Sequence, residues 1–252
     1  MRTSNNASRI ALLIAAHGER TPGANNEGVW RIARALSARN LVSEVGVGFI
    51  NGAPTISEAF VALTAPKVIV YPLFASSGYF TRDRLVQLLD EANSEGHNVE
   101  ILPPLGLDPG LPDFVLAHAA GAARRSGFAP QALTVILLAH GSRRNSASRE
   151  ATERIAREIR NRAAFRDVHI ALLEERPFLR DAAALASGSA IVVGLFSGEG
   201  MHGAGDAPRL IAELDRNDIA FAGVIGSFPG VEELILTAVT KALRGTAVVV
   251  PD

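Results

Sequence analysis

The chain contains no cysteine. Disulfides, thiolate nucleophiles and sulfur ligands are therefore excluded together, and any metal site must be built from His, Asp or Glu. Aromatic residues supply only 6% of the 252 positions, and an excess of either charge is also missing: 25 basic against 26 acidic residues leave a net charge of −1. A general nucleic-acid binder carries a basic excess, so no nucleic-acid partner is expected. Long hydrophobic runs are lacking too. The first one, "IALLIAA" at residues 10–16, is too short to span a bilayer. It reads as a buried strand rather than a secretion signal, and a cytoplasmic enzyme without a membrane partner is the expectation. What the chain does have is 48% hydrophobic and 20% charged residues, the composition of a globular protein with a sizeable core.

The chain also repeats itself. Ala16-His17-Gly18-Glu19-Arg20 falls on Ala139-His140-Gly141-Ser142-Arg143 at a displacement of 123 positions. Without a gap, Glu27 then falls on Glu150, Arg31-Ile32-Ala33-Arg34 on Arg154-Ile155-Ala156-Arg157, Arg39 on Arg162 and Pro54 on Pro177. With the displacement reduced by one, Leu73-Phe74 meets Leu195-Phe196 and Gly78 meets Gly200. Two duplicated domains follow, residues 1–126 and 132–252, joined by "GFAPQ". The period is far too long for a solenoid.

Each repeat alternates short apolar runs with amphipathic segments. The runs are "IALLIAA", "EVGVGFI", "KVIVYPLF" and "NVEIL", then "TVILLA", "DVHIALL", "AIVVGLF" and "IAFAGVI". Unbroken β-branched runs suit strands buried on both faces of a parallel sheet. Between them lie helical patterns such as "SASREATERIAREIRNRAA", with Ala151, Ile155 and Ile159 on one face. The fold class is therefore α/β: two tandem pseudo-symmetric domains, each a four-stranded parallel sheet flanked by helices.

Ligands of open α/β sheets bind beyond the carboxyl ends of the strands. In the second repeat three such ends deliver His140, Glu174 and His202 to one rim. Two imidazoles and a carboxylate suit a borderline divalent ion such as Co²⁺, Fe²⁺, Ni²⁺ or Zn²⁺. The first repeat keeps His17 but has Asn51 in place of Glu174 and Phe80 in place of His202. One copy thus holds three candidate ligands and the other one, as a duplication with a single working site would leave it. Taken alone, "LFSGEGMHGAGDAP" also suits a plain strand-to-helix turn, with His202 solvated and Asp206 capping the next helix.

The segments "LLAHGSR", "LLEERP" and "GLFSGEGMHGAGDAP" resemble the class II tetrapyrrole chelatases, and most of all the sirohydrochlorin cobaltochelatase and ferrochelatase group in its long, tandem form. Gly200, His202, Asp206 and Pro208 match the G-x-H-x-x-x-D-x-P segment of that family. The resemblance implies insertion of a divalent metal into a tetrapyrrole held between the domains by its acidic side arms. Co²⁺ is favoured as the metal substrate, with Fe²⁺ or Ni²⁺ as alternatives, and no organic cofactor is implied. His140, Glu174 and His202 would be the metal-holding and catalytic set, with Glu174 as third ligand or as acceptor of the departing pyrrole protons. Arg143, Arg144, Arg20, His17, Ser142 and Gly200 would make up the substrate-binding set, with Ser142 also serving its turn. Imidazoles bind metal only when neutral, so activity should fall below about pH 6.5. The partner is a small-molecule tetrapyrrole, and the chain is a monomer or a homodimer.

The main rival is a metal or tetrapyrrole carrier with the same ligands and no turnover, which would have no use for a proton acceptor at Glu174. A two-lobed periplasmic-type binding protein is disfavoured by the short linker. A dinucleotide-binding dehydrogenase is disfavoured because "AHGERTPG" stands where the glycine fingerprint should follow the first strand.

Overall fold

The computed structural model describes residues 9–19, 26–129, 132–198, 203 and 205–246. The first repeat forms β1 (Ile10–Ala16), α1 (Glu27–Ser37), β2 (Glu44–Phe49), α2 (Ile56–Val61), β3 (Lys67–Leu73), α3 (Leu85–Ala92), β4 (Asn98–Ile101) and α4 (Leu111–Arg125). The second forms β5 (Thr134–Ala139), α5 (Ala147–Asn161), β6 (Asp167–Leu172), α6 (Leu179–Leu185), β7 (Ala190–Gly194), α7 (Ala207–Ala212), β8 (Ile219–Val224) and α8 (Val231–Thr246). Every expected strand is present. The two sheets are four-stranded and parallel throughout, in the orders β2-β1-β3-β4 and β6-β5-β7-β8.

The strand sequences follow from these positions. β1 and β5 are central and covered on both faces, so Leu12, Leu13, Ile14, Ile136, Leu137 and Leu138 are all buried. β4 is an edge strand, short and polar, and Glu100 on it pairs with Lys67 of β3 at 2.6 Å. One face of the first sheet packs Leu13, Val68 and Val70 against Phe60 of α2 and Leu85 of α3. The matching face of the second packs Ile136, Leu138 and Val192 against Leu179 of α6 and Ala207 of α7. Helices α2 and α6 start alike. Thr55 N–H donates to Glu58 at 2.8 Å and Phe178 N–H to Asp181 at 2.9 Å, so an acidic side chain one turn in satisfies an orphan amide in both repeats.

The opposite faces hold a feature that periodicity does not announce. The compact units of the chain are not its two sequence repeats: α8 groups with β1–β4 and α4 groups with β5–β8. Helix α8 packs on β3 and beside α1, while α4 packs on β7, β8 and α5. Each sheet needs two helices to cover that face, and each repeat supplies its own sheet with one. The fully buried Val115 of α4 and Ile235 of α8 show where the exchanged helices bury their apolar stripes. The sequence repeats 1–126 and 132–252 therefore each end in a helix that joins the other unit. No helix among the described residues is long and apolar enough to cross a membrane.

Candidate functional site

In both repeats the glycine after the histidine turns the chain through a positive φ, +70° at Gly18 and +72° at Gly141. A side chain is barred there by more than the angle. A Cβ on Gly18 would lie 2.2 Å from the Asn51 carbonyl oxygen, and one on Gly141 would lie 2.9 Å from the Leu172 Cβ. The tight turn lets the next strand end cross directly under the histidine. Asn51 N–H donates to the His17 carbonyl at 2.7 Å, and Glu174 N–H donates to the His140 carbonyl at 3.0 Å. Two of the three expected ligand positions are thus joined backbone to backbone at the carboxyl edge of each sheet.

The two histidines share a tautomer and differ in what meets Nε2. The His140 Nδ1 lies 2.9 Å from the Gly141 carbonyl, which can only accept, so Nδ1 carries the hydrogen and Nε2 the lone pair that a metal uses. In the first repeat the Asn51 amide nitrogen donates to His17 Nε2 at 3.1 Å and engages that lone pair. Phe80 packs edge-on against the same imidazole, ring centroids 4.9 Å apart. The first-repeat equivalents of His140, Glu174 and His202 therefore meet in space, with His17 Nε2 engaged by Asn51 and an aromatic ring where the second histidine would stand.

The residues around His140 form a network. Ser142 N–H donates to Glu175 Oε1 at 3.1 Å, and Arg149 donates to Glu175 Oε2 at 2.6 Å and to the Arg176 carbonyl. The Arg149 guanidinium, and after it the Ser142 N–H, hold the Glu175 carboxyl below the usual carboxylate range. Gly141 N–H donates to Ser148 Oγ at 3.1 Å. Arg143 Nε donates to the Glu174 carbonyl at 3.0 Å, which ties the exposed Arg143 to the candidate ligand loop. Arg144 is exposed as well. Its N–H donates to Ser142 Oγ at 3.2 Å, so that hydroxyl serves the turn. Glu174 itself is exposed at the rim. Neither Glu175 nor Arg149 stands out in the sequence, where two neighbouring carboxylates look alike and the arginine reads as part of a helix face.

Arg20, Gly200 and His202 lie outside the described residues, as does the apolar tail 247–252. Among the described residues no group of three His, Asp or Glu side chains converges to hold a metal. Two neighbours of His202 are described. Gly203 is buried, and a Cβ there would come within 2.9 Å of both the Gly198 carbonyl and Val224, so that glycine serves close packing against β8. Asp206 makes no side-chain cap on α7, contrary to the plain-turn expectation. It is already in helical conformation and accepts from Arg209 at 3.2 Å instead.

The CbiX family model matches residues 11–122 and again 134–243. The chain is 23% identical over 267 residues to the probable sirohydrochlorin cobaltochelatase of Halobacterium salinarum, covering 92% of this chain and 91% of that protein. Among solved structures it resembles CbiX, the terminal enzyme for biosynthesis of siroheme in denitrifying bacteria, with a TM-score of 0.74 and 29% identity over 93% of this chain and 99% of that one. Its fold also matches the sirohydrochlorin chelatase SirB of Bacillus subtilis subspecies spizizenii in complex with cobalt, with a TM-score of 0.75 and 18% identity over 94% of this chain and 96% of that one. Both repeats match one model over nearly their whole length, and the chain belongs to the CbiX family of chelatases.

Proposed function

We propose that this chain inserts a divalent metal, Co²⁺ or Fe²⁺, into sirohydrochlorin or a closely related tetrapyrrole. The Halobacterium relative is named for cobalt and the denitrifier enzyme for siroheme, an iron tetrapyrrole, so relatives speak for both ions. Co²⁺ is the first candidate. The observation that carries the reading is the pairing of His140 with Glu174 at one strand edge, in a chain whose two repeats both match the chelatase family.

In this account the incoming ion rests on His140 Nε2 and His202, with Glu174 beside them. The Nδ1–H held by the Gly141 carbonyl keeps the ring oriented with Nε2 available for coordination. Entry of M²⁺ into the macrocycle releases two pyrrole N–H protons, and Glu174, exposed at the rim, accepts the first of them. Two imidazoles and one carboxylate leave coordination positions for water, which suits an ion that must be handed on rather than kept. Arg143, Arg144 and Arg20 meet the carboxylate side arms of the substrate.

The test is an absorbance time course with sirohydrochlorin and Co²⁺, then Fe²⁺ without oxygen, against the protein-free rate. Acceleration with either ion supports insertion. Tight binding of metal or tetrapyrrole with no acceleration by any divalent ion makes the chain a carrier.

A further inference from the structure

We infer that Glu175 and Arg149 are positioning residues that fix the metal-bearing turn of the second repeat, an inference that rests on the proposed role of His140 and Glu174. The argument begins with one amide. The second residue after each histidine has its N–H anchored by a side chain, and the two repeats do so with different devices. In the first repeat Glu19 N–H donates directly to Asn26 Oδ1 at 3.1 Å. In the second, Ser142 N–H donates to Glu175 Oε1 at 3.1 Å, and Glu175 is held in turn by Arg149 at 2.6 Å. Asn26 and Arg149 occupy equivalent positions, as do Gly52 and Glu175.

The first repeat has no side chain at position 52, and a Cβ there would meet the Asn26 amide nitrogen at 3.4 Å. Two exchanges made together therefore convert a direct anchor into a relay, and the relay belongs to the repeat that keeps its ligand set. It does two things the direct anchor cannot. It joins the turn after His140 to the loop carrying Glu174, because Glu175 is Glu174's neighbour and its Cγ lies 3.1 Å from where a Gly141 Cβ would be. It also holds the second carboxylate of the Glu174-Glu175 pair in an ion pair with Arg149. One carboxylate rather than two then faces the ion. Arg149 completes the brace by donating to the Arg176 carbonyl, on the far side of Glu175 from Glu174.

Groups that orient the ligands of a metal typically change affinity or turnover by about 10–100-fold when removed. The experiment compares Glu175→Ala, Glu175→Gln and Arg149→Met with the wild type. It measures Co²⁺ affinity of the protein alone, and kcat and KM for insertion into sirohydrochlorin, with circular dichroism to establish that each variant is folded. Glu175→Ala and Arg149→Met should lower Co²⁺ affinity and kcat by about tenfold or more while KM for the tetrapyrrole stays within about twofold. Glu175→Gln keeps an acceptor for Ser142 N–H and should recover most of the loss. Should Glu175→Ala not fold, Arg149→Met, which keeps the aliphatic stem, decides the matter alone. Unchanged Co²⁺ affinity and kcat in folded Glu175→Ala or Arg149→Met overturn the inference, as does lowered thermal stability with both values intact. A rise in KM alone overturns it too, since that would make these residues part of substrate recognition. If the wild type binds Co²⁺ but does not insert it, the chelatase reading fails while the Co²⁺ affinities still decide the role of the relay.

Discussion

The Asn51 amide nitrogen donates to His17 Nε2 across 3.1 Å, so the atom that would coordinate an ion in the first repeat is already engaged. Phe80 packs edge-on against the same ring. In the proposed account, Asn51 and Phe80 are the two substitutions that keep the first repeat from binding metal, around a histidine that stayed in place. Restoring them with Asn51→Glu and Phe80→His together should create a second site. Equilibrium dialysis with Co²⁺ should then rise from one bound ion per chain to two, and a stoichiometry that stays at one contradicts this account of the repeat.

The turn after each histidine tolerates no side chain. Gly141→Ala forces an L-residue to φ +72° and pushes its Cβ into that of Leu172. Gly96 has nearly the same φ, +73°, and nothing within 4 Å of a new Cβ. Gly96→Ala should cost about 1 kcal/mol from the angle alone, and Gly141→Ala about 2–4 kcal/mol from angle and clash together. Urea unfolding of the two variants measures the difference, and equal costs would mean that the turn yields where the geometry says it cannot.

Helix exchange makes a prediction about pieces of the chain. Arg39 pairs with Glu233 of α8, and its repeat equivalent Arg162 pairs with Asp113 of α4 at 3.0 Å through the second guanidinium nitrogen. These exposed pairs contribute little, about 0–1 kcal/mol each. The buried faces carry the exchange: Ile235→Ala should cost about 2–5 kcal/mol. A fragment of residues 132–252 lacks α4 and leaves β7 and β8 uncovered on one face, while its α8 has lost the sheet it covers. Two copies can satisfy each other by trading α8. Sedimentation velocity should show a concentration-dependent dimer that unfolds on dilution, and a stable monomer would contradict the coverage argument.

His118 of α4 stacks on Phe228 with centroids 4.2 Å apart, and its Nε2 lies 3.1 Å from the Pro229 carbonyl. Burial, assisted by Arg125 and opposed by the Pro229 carbonyl, pushes its pKa below the ordinary imidazole value. The unfolded chain then takes up this proton at a higher pH than the folded one. Stability is unaffected well above about pH 6.5 and falls as the pH drops below it. The loss in thermal midpoint between pH 7.5 and 5.5 should be smaller in His118→Phe than in the wild type. An identical loss would remove His118 as a cause of acid sensitivity.

The strands were legible because a parallel sheet covered on both faces demands unbroken apolar runs, and "TVILLA" became β5 over the same six residues. The convergence of His140 and Glu174 was legible from the same rule, since both follow parallel neighbouring strands. Helix exchange was not. An amphipathic pattern states that α4 has a face to bury and says nothing about which sheet receives it. The division of labour between Glu174 and Glu175 was hidden as well, because it depends on which carboxylate points toward Arg149. The cap expected of Asp206 failed for a local reason: the chain is already helical there, so its side chain is drawn to Arg209.

The most direct test of the central claim is insertion of Co²⁺ into sirohydrochlorin, followed by absorbance, in the wild type, His140→Ala, His202→Ala and His17→Ala. The account predicts protein-dependent insertion that is lost in the first two variants and kept in the third. Insertion that survives His140→Ala and His202→Ala but fails in His17→Ala would place the working site in the first repeat and contradict it.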